Sequence, residues 1–241
     1  MTPEYYKVNV PGEHLYDLED GIQVRKITPI EQKRLVSILI RDEKDHTIEI
    51  IRFINTLIKG IDPNELYWPD YYYLLYQMRL VTYKMFPIEF VCECPDCGEK
   101  QKVQLDVPQL EIDEVPDTYK KNTKLYLENF GEVPFRYKKV KDDIMIAEFM
   151  KAHNIAEDDI AMIQLLYDLC LLSDWKPLEE LWALAETGEI TMQDIVVLED
   201  FMTKCMWGVK EELKYTCRKC GKEVASSYEM QLADFFPSNF N

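Results

Sequence analysis

Two short stretches with the same pattern decide the fold: FVCECPDCGEKQKV at residues 90–103 and KYTCRKCGKEV at residues 214–224. In each, a predicted strand leads into Cys-x-x-Cys-Gly and a second predicted strand follows. Two thiolates at this spacing converge on one ion, and the glycine permits the tight turn. Because two matched knuckles are a much stronger signal than one, the sequence predicts one structural zinc ion per chain. Its ligands are Cys94, Cys97, Cys217 and Cys220.

The two knuckles lie unusually far apart, with 119 residues between Cys97 and Cys217. Zinc ribbons commonly separate their knuckles by about 15–20 residues. Loop closure costs about 0.6 kcal/mol for each doubling of length, so the longer loop adds only roughly 1.7 kcal/mol. Zinc sites in small peptides supply about 10–16 kcal/mol. A long insertion is therefore tolerable, particularly if it folds as a helical unit.

Other uses of the cysteines fit the sequence less well. Disulfides would need an oxidising compartment, and a thioredoxin-like pair would lie at a helix start and not in a turn between strands. Four thiolates could also hold an iron–sulfur centre, whereas a catalytic zinc would need an open position. Cys92 could replace a ligand, but its position relative to the turn favours Cys94. Cys170 and Cys205 lie in helical patterns typical of core packing.

The charge balance argues against nucleic acid as a general partner. The chain has 241 residues, and its 28 basic and 44 acidic side chains give a net charge of −16. Phosphate neutralisation dominates nucleic-acid affinity, so such binders normally carry a basic surface. The N-terminus lacks the features of a signal peptide, and no segment reaches the roughly 18 apolar residues of a membrane span. We therefore expect a soluble, intracellular protein with reduced or metal-bound thiols and no membrane partner.

The pattern of apolar residues predicts an α+β protein that is mostly helical, with a small antiparallel zinc-ribbon-like sheet built from the two knuckles. Residues 1–107 are expected to form an N-terminal helical part and the first half of the split ribbon. Residues 108–210 form a mainly helical insertion. Residues 211–241 supply the second half of the ribbon and a C-terminal docking tail.

Local signals place the individual elements. Thr28, Pro29 and Glu31 predict a capped helix start. A hairpin around Gly131 is predicted from strands at 124–127 and 134–140. The later helices are expected over 44–58, 71–85, 142–153, 158–172, 178–186 and 191–205.

Two aromatic segments allow two interpretations each. The helix over 71–85 is apolar on several sides, which usually means burial, although tyrosine and tryptophan are also enriched in interface hot spots. The C-terminal Phe235-Phe236-Pro237 could likewise dock on its own body or anchor in a neighbour. The aromatic residues before and in the helix are Tyr67, Trp68, Tyr71, Tyr72, Tyr73 and Tyr76.

The sequence contains no recognisable catalytic constellation. It has no GxxxxGK, GxGxxG, HExxH or GxSxG motif. His14, His46 and His153 are scattered and have no partner acid or nucleophile in a known motif. We therefore expect no enzymatic activity and no small-molecule substrate.

Several short motifs occur in a characteristic order along residues 10–107 and 211–239. They are Pro11-Gly12, Tyr16, the strand from Ile22, the Thr28 cap, Asp70 and Arg79 in the aromatic helix, both knuckles, and Phe235-Phe236-Pro237-Ser238. In this order they resemble the baseplate hub and hub-assembly proteins of contractile-tailed bacteriophages of the T-even type.

The resemblance implies a late, non-enzymatic structural or chaperone-like role in building the tail baseplate. It implies other baseplate hub or tail proteins as partners. It also implies a location in the host cytoplasm during assembly, and in the virion if the protein remains there.

An adaptor of nucleic acid or of the transcription machinery is the alternative. Such a protein would use the zinc ribbon to present a basic tip. The residues available for that tip are Lys100, Lys102, Arg218, Lys219 and Lys222.

Overall fold

The N-terminal part is built on a three-stranded antiparallel sheet in the computed structural model, which describes residues 3–39, 46–84, 88–120 and 123–236. The strand order is β1 (Tyr5–Val8), β2 (Ile22–Arg25) and β3 (Ile58–Lys59). Along β2, buried and half-buried residues alternate, as expected for a strand with one face on a core. The sheet thereby presents the fully buried Ile22 and Val24 to the first hydrophobic core.

Helix α1 (Pro29–Leu39) begins with the capping box that the sequence predicts. The Glu31 N–H donates to Thr28 Oγ1 at 3.3 Å, and the Glu31 carboxylate accepts from the Thr28 N–H at 2.9 Å. A hydrogen bond from Arg25 lowers the pKa of Glu31 to about 2. Helix α2 (His46–Asn55) follows, and residues 44 and 45 of its predicted start lie outside the described residues.

Helix α3 (Trp68–Thr82) carries a fully buried carboxylate, Asp70, near its start. Asp70 accepts hydrogen bonds from the Gly12 N–H at 2.8 Å, the Tyr16 hydroxyl at 2.6 Å and Trp207 Nε1 at 3.3 Å. Burial raises the pKa of Asp70, and these three donors oppose the rise. One side chain therefore ties the N-terminal arm and a segment near residue 207 to the same helix.

The aromatic face of α3 packs on the protein's own body. Tyr71 and Tyr76 are fully buried, and the Tyr72 hydroxyl lies 2.6 Å from Glu211 and 2.7 Å from the Met230 carbonyl. The C-terminal Phe235 and Phe236 are also fully buried in the same core. Arg79, on the same helix, donates to the carbonyls of Asp234 and Phe235. Both aromatic segments thus serve the core, and Pro237 lies outside the described residues.

The remaining elements alternate short antiparallel pairs with helices. The helices are α4 (Val140–His153), α5 (Ile160–Cys170), α6 (Leu178–Glu186) and α7 (Met192–Lys204). The strands are β4 (Ile88–Glu93), β5 (Lys100–Leu105), β6 (Ile112–Asp113), β7 (Lys124–Leu127), β8 (Gly131–Pro134), β9 (Gly208–Val209), β10 (Glu212–Thr216) and β11 (Glu223–Ser227). Adjacent strands pair as β4 with β5, β6 with β9, β7 with β8 and β10 with β11.

A second hydrophobic core lies under α4–α7 and the β7–β8 hairpin. At its edge Arg136, 1% exposed, donates to both carboxylate oxygens of Asp142, at 2.6 and 2.7 Å, and to Asp174 at 3.1 Å. Removing one partner of a buried ion pair typically lowers the stability of the folded protein by about 3–5 kcal/mol, because the other charge is left uncompensated. The pair therefore holds the end of the hairpin against the start of α4.

The mixed architecture of helices and small antiparallel sheets agrees with the prediction, and two details differ. The second strand of the β7–β8 hairpin spans 131–134 instead of 134–140, because Leu127 pairs with Gly131 across a short turn. The knuckles form two separate two-stranded sheets, where one small sheet was expected. The division at residues 107 and 210 stays a prediction. Packing crosses the boundary at residue 107, because Tyr67 belongs to the second core and Val140 to the first.

The helices in the described ranges do not combine the length and the hydropathy that a bilayer-crossing segment requires.

The close approach of Gly12 to Asp70 leads to a stability prediction. A Cβ added at Gly12 would overlap Asp70 Oδ2, although the backbone φ of −91° suits any residue. We expect Gly12→Ala to lower the free energy of unfolding by about 1–3 kcal/mol, the usual penalty for overpacking. Thermal denaturation should show a fall in Tm of several degrees, whereas Glu13→Ala, the adjacent half-buried position, should change it little. An unchanged Tm for Gly12→Ala would contradict this account of Asp70.

Candidate metal centre

Both knuckles fold into the same turn, one between β4 and β5 and the other between β10 and β11. In the first, the Cys94 N–H donates to the Glu99 carbonyl at 2.8 Å, and the Gly98 N–H donates to the Cys94 carbonyl at 2.9 Å. The second knuckle repeats both bonds at the same distances with Cys217, Lys222 and Gly221. The glycines have φ of +69° and +72°, the left-handed region that disfavours other residues. The glycine conformation and the backbone hydrogen bonds of each turn therefore involve only residues of the knuckle itself.

The structure brings the four predicted cysteines into one cluster. Their sulfur atoms all lie within 4.8 Å of one another. Cys94 Sγ lies 3.8 Å from Cys220 Sγ, and Cys97 Sγ lies 3.6 Å from Cys217 Sγ. A tetrahedral ion with bonds of about 2.3 Å to sulfur would separate its ligands by about 3.8 Å. The cluster thus has the dimensions of a site for a single ion, and its sulfurs are well beyond the disulfide length of about 2.05 Å.

The first cysteine of each knuckle points inward and the second outward. Cys94 and Cys217 are each 1% exposed, Cys97 is half-buried and Cys220 is exposed. Backbone N–H groups of Cys220 and Lys219 lower the pKa of Cys217 to about 6. The Glu99 N–H likewise lowers the pKa of Cys97, but burial and the neighbouring thiols outweigh it and raise that pKa to about 12. Backbone donors directed at sulfur stabilise the thiolate form that metals bind.

A glutamine that the sequence did not single out connects the two hairpins. Gln101, on β5, is 9% exposed. Its Nε2 donates to the Thr216 carbonyl at 3.2 Å, and its Oε1 accepts from the Arg218 N–H at 2.8 Å. The side-chain amide therefore links β5 to the backbone at the end of β10, although these two strands belong to different sheets. The alternation of apolar residues predicts the strand over 102–107, so Gln101 lies just before it. In the structure the strand begins at Lys100 and Gln101 is buried, which the sequence pattern did not indicate.

The basic residues around the knuckles are mostly paired with acids. Lys222 contacts Asp96 at 2.6 Å and Lys219 contacts Glu99 at 4.0 Å, and both pairs cross from one knuckle to the other. Within the first hairpin Lys100 pairs with Glu93, and Lys102 pairs with Glu89. Arg218 lines a shallow cavity of about 500 Å³ together with two of these lysines and two of these acids: Lys100, Lys102, Glu89 and Glu99. The predicted basic tip is therefore largely neutralised by its own neighbours.

The other three cysteines lie outside the cluster of four. Cys92 is buried on β4, and burial raises the pKa of its thiol. Cys170 and Cys205 are fully buried in the second core, as their helical patterns indicate. His153, a scattered histidine in the sequence, stacks on Phe149 with ring centroids 4.0 Å apart.

Comparison with known proteins gives one match. Residues 7–237 fit the family model described as T4 bacteriophage base plate protein. No curated protein and no solved structure matches the chain. The matched span contains both knuckles and the residues that meet at Asp70.

The bridging role of Gln101 can be tested with a matched pair of variants. Gln101→Leu would leave the Thr216 carbonyl and the Arg218 N–H without their partner, so we expect a loss of about 1–3 kcal/mol in the free energy of unfolding. Gln104→Leu removes an exposed glutamine of the same strand, whose amide donates to the exposed Glu89 of the same hairpin at 3.0 Å, and should have little effect. Urea denaturation of the three proteins measures the difference. Equal effects of the two substitutions would refute the bridge.

Proposed function

Since the chain belongs to the T4 bacteriophage base plate protein family, we propose that it is a non-enzymatic protein of the baseplate hub of a contractile tail, acting as a hub component or in hub assembly. The family match over most of the chain is the observation that carries this proposal. Other hub or tail proteins are its partners. The protein acts in the host cytoplasm while the baseplate is built.

The four-thiol cluster binds one structural zinc ion in this proposal. The sulfur separations of 3.6 and 3.8 Å support it, because they match the edges of a zinc–thiolate tetrahedron of about 3.8 Å. Thiolates are soft ligands that suit zinc, and four of them leave no open position for catalysis. The site therefore has a structural role.

The zinc acts as a clasp on the C-terminal segment. Directly after β11, Tyr228 contacts Tyr76 through their hydroxyl groups at 3.3 Å, and Phe235 packs edge-on against the Tyr76 ring at 4.8 Å. Joining the knuckles holds the β10–β11 hairpin beside β5, so the following residues reach α3 already oriented. The bound ion thereby supports the docking of the C-terminal segment, and a tail partner meets a preformed surface.

The nucleic-acid adaptor is the less supported function. It needs an exposed basic tip, whereas four of the five candidate residues form ion pairs with acids. The net charge of −16 adds long-range repulsion of phosphate.

Metal analysis tests the zinc proposal. We expect elemental analysis to find about one zinc per chain, and the Cys97→Ser, Cys220→Ser double variant to lose it. At a free zinc concentration of 100 times Kd, the free energy of unfolding of the wild type should be about 2.7 kcal/mol higher than in the absence of zinc. Cys92→Ala is the matched control, because Cys92 is buried on the same hairpin but lies outside the cluster. Zinc retained by the double variant, or lost by Cys92→Ala, would contradict the ligand assignment.

Tail assembly tests the family role. In infected cells, an affinity-tagged chain should co-purify with other baseplate proteins, and mass spectrometry of purified virions decides whether it stays in the tail. The same tag on an unrelated acidic protein of similar size controls for non-specific capture. If no baseplate protein co-purifies and virions lack the chain, the proposed role fails.

A further inference from the structure

The two knuckles of the candidate metal centre carry opposite charges at equivalent positions. Two residues after its first cysteine, the first knuckle has Asp96 and the second has Lys219. Five residues after that cysteine, they have Glu99 and Lys222. The same turn presents both sets, because each first cysteine donates its N–H to the carbonyl of the residue five positions on. At these two positions the first knuckle is therefore acidic and the second is basic.

The charged side chains pair in the same crossed arrangement as the sulfur atoms. The first cysteine of each knuckle lies beside the second cysteine of the other, with sulfur atoms 3.8 and 3.6 Å apart. In the same way, the earlier charged residue of each knuckle contacts the later charged residue of the other. The pairs are Asp96 with Lys222 at 2.6 Å and Glu99 with Lys219 at 4.0 Å. Sulfur atoms and ion pairs thus follow one approximate two-fold arrangement of the knuckles.

The charges distinguish unlike knuckles from like ones, which the cysteines cannot do. Both knuckles offer two thiols at the same spacing and in the same turn. Two first knuckles in this arrangement would bring Asp96 against Glu99, and two second knuckles would bring Lys219 against Lys222. Repulsion between like charges suppresses wrong pairings, and discrimination depends on that repulsion as much as on the attraction in the correct pair. The observed charge pattern therefore favours the joining of one first knuckle to one second knuckle.

We infer that the four charged side chains of these two ion pairs are positioning residues of the metal centre, which match the first knuckle to the second when both hold one ion. The inference rests on the proposed zinc site and adds residues to that site beyond its four ligands. An exposed ion pair changes an equilibrium constant by at most about fivefold. The effect of these pairs therefore lies in the choice and alignment of the partner knuckle more than in the overall stability of the chain.

Charge reversal with rescue tests the closer pair. Asp96→Lys and Lys222→Asp each bring like charges together, whereas the double variant restores an opposite pair with its charges exchanged. Competition with a zinc chelator measures the zinc affinity of the wild type and the three variants. Because each reversal turns attraction into repulsion, the double variant should bind zinc about 10-fold more tightly than the product of the two single effects predicts. This coupling should shrink in 1 M KCl, where the Debye length is about 3 Å.

The charge-matched control combines Asp96→Lys with Arg218→Asp. Arg218 is another basic residue of the second knuckle, whereas the described ion pair of Asp96 is with Lys222. This double variant has the same net charge as the rescue variant, and its two single effects should multiply to within about twofold. Equal coupling of Asp96 with Arg218 and with Lys222 would be a response to net charge alone and would overturn the inference. So would the absence of coupling between Asp96 and Lys222 in protein that binds zinc, whereas a wild type without zinc would refute the zinc site itself.

Discussion

Asp70 is a buried carboxylate that is held by three hydrogen-bond donors, and the arrangement of the chain depends on how it is satisfied. Its oxygens accept from the Gly12 backbone, the Tyr16 hydroxyl and Trp207 Nε1. An unpaired charge in the interior would be prohibitively costly, so these donors must all be present when α3 packs. The N-terminal arm and the segment after α7 are consequently held to one helix. The motifs that resemble the baseplate proteins in their order include Gly12, Tyr16 and Asp70. Since Gly12 and Tyr16 both donate to Asp70, these three residues have a physical reason to occur together.

The long insertion between the knuckles is closed by several contacts at once. Trp207 reaches Asp70, Glu211 and the Met230 carbonyl reach Tyr72, and Gln101 bonds the backbone beside the second knuckle. These folding contacts offset loop-closure entropy in addition to any contribution from the thiols. The four sulfurs lie within 4.8 Å of one another, so the folded chain brings both knuckles to separations that suit one ion.

The surface available to partners differs from the one that composition suggests. The aromatic residues of α3 and the C-terminal phenylalanines are in the core, and the lysines beside the cluster are paired with acids. The large apolar side chains that remain most exposed are distributed over several elements. They include Ile30, Val91, Tyr126, Ile160 and Met192. A baseplate partner would therefore meet an acidic surface with scattered apolar contacts and not an aromatic stripe. High net charge of this kind keeps a protein soluble until it meets its partner.

The sequence alone determined the features that depend on near neighbours along the chain. The Cys-x-x-Cys-Gly turns, the Thr28 cap and helix α6 follow from spacing, dihedral preference and capping, which act over a few residues. Tertiary structure alone decided that the knuckles join through Gln101 instead of a shared sheet, and that Asp70 collects its three donors. These contacts link residues separated by 50 or more positions, and no periodicity encodes which polar groups will meet. Such partners are set by burial, because only in the interior must each donor find an acceptor.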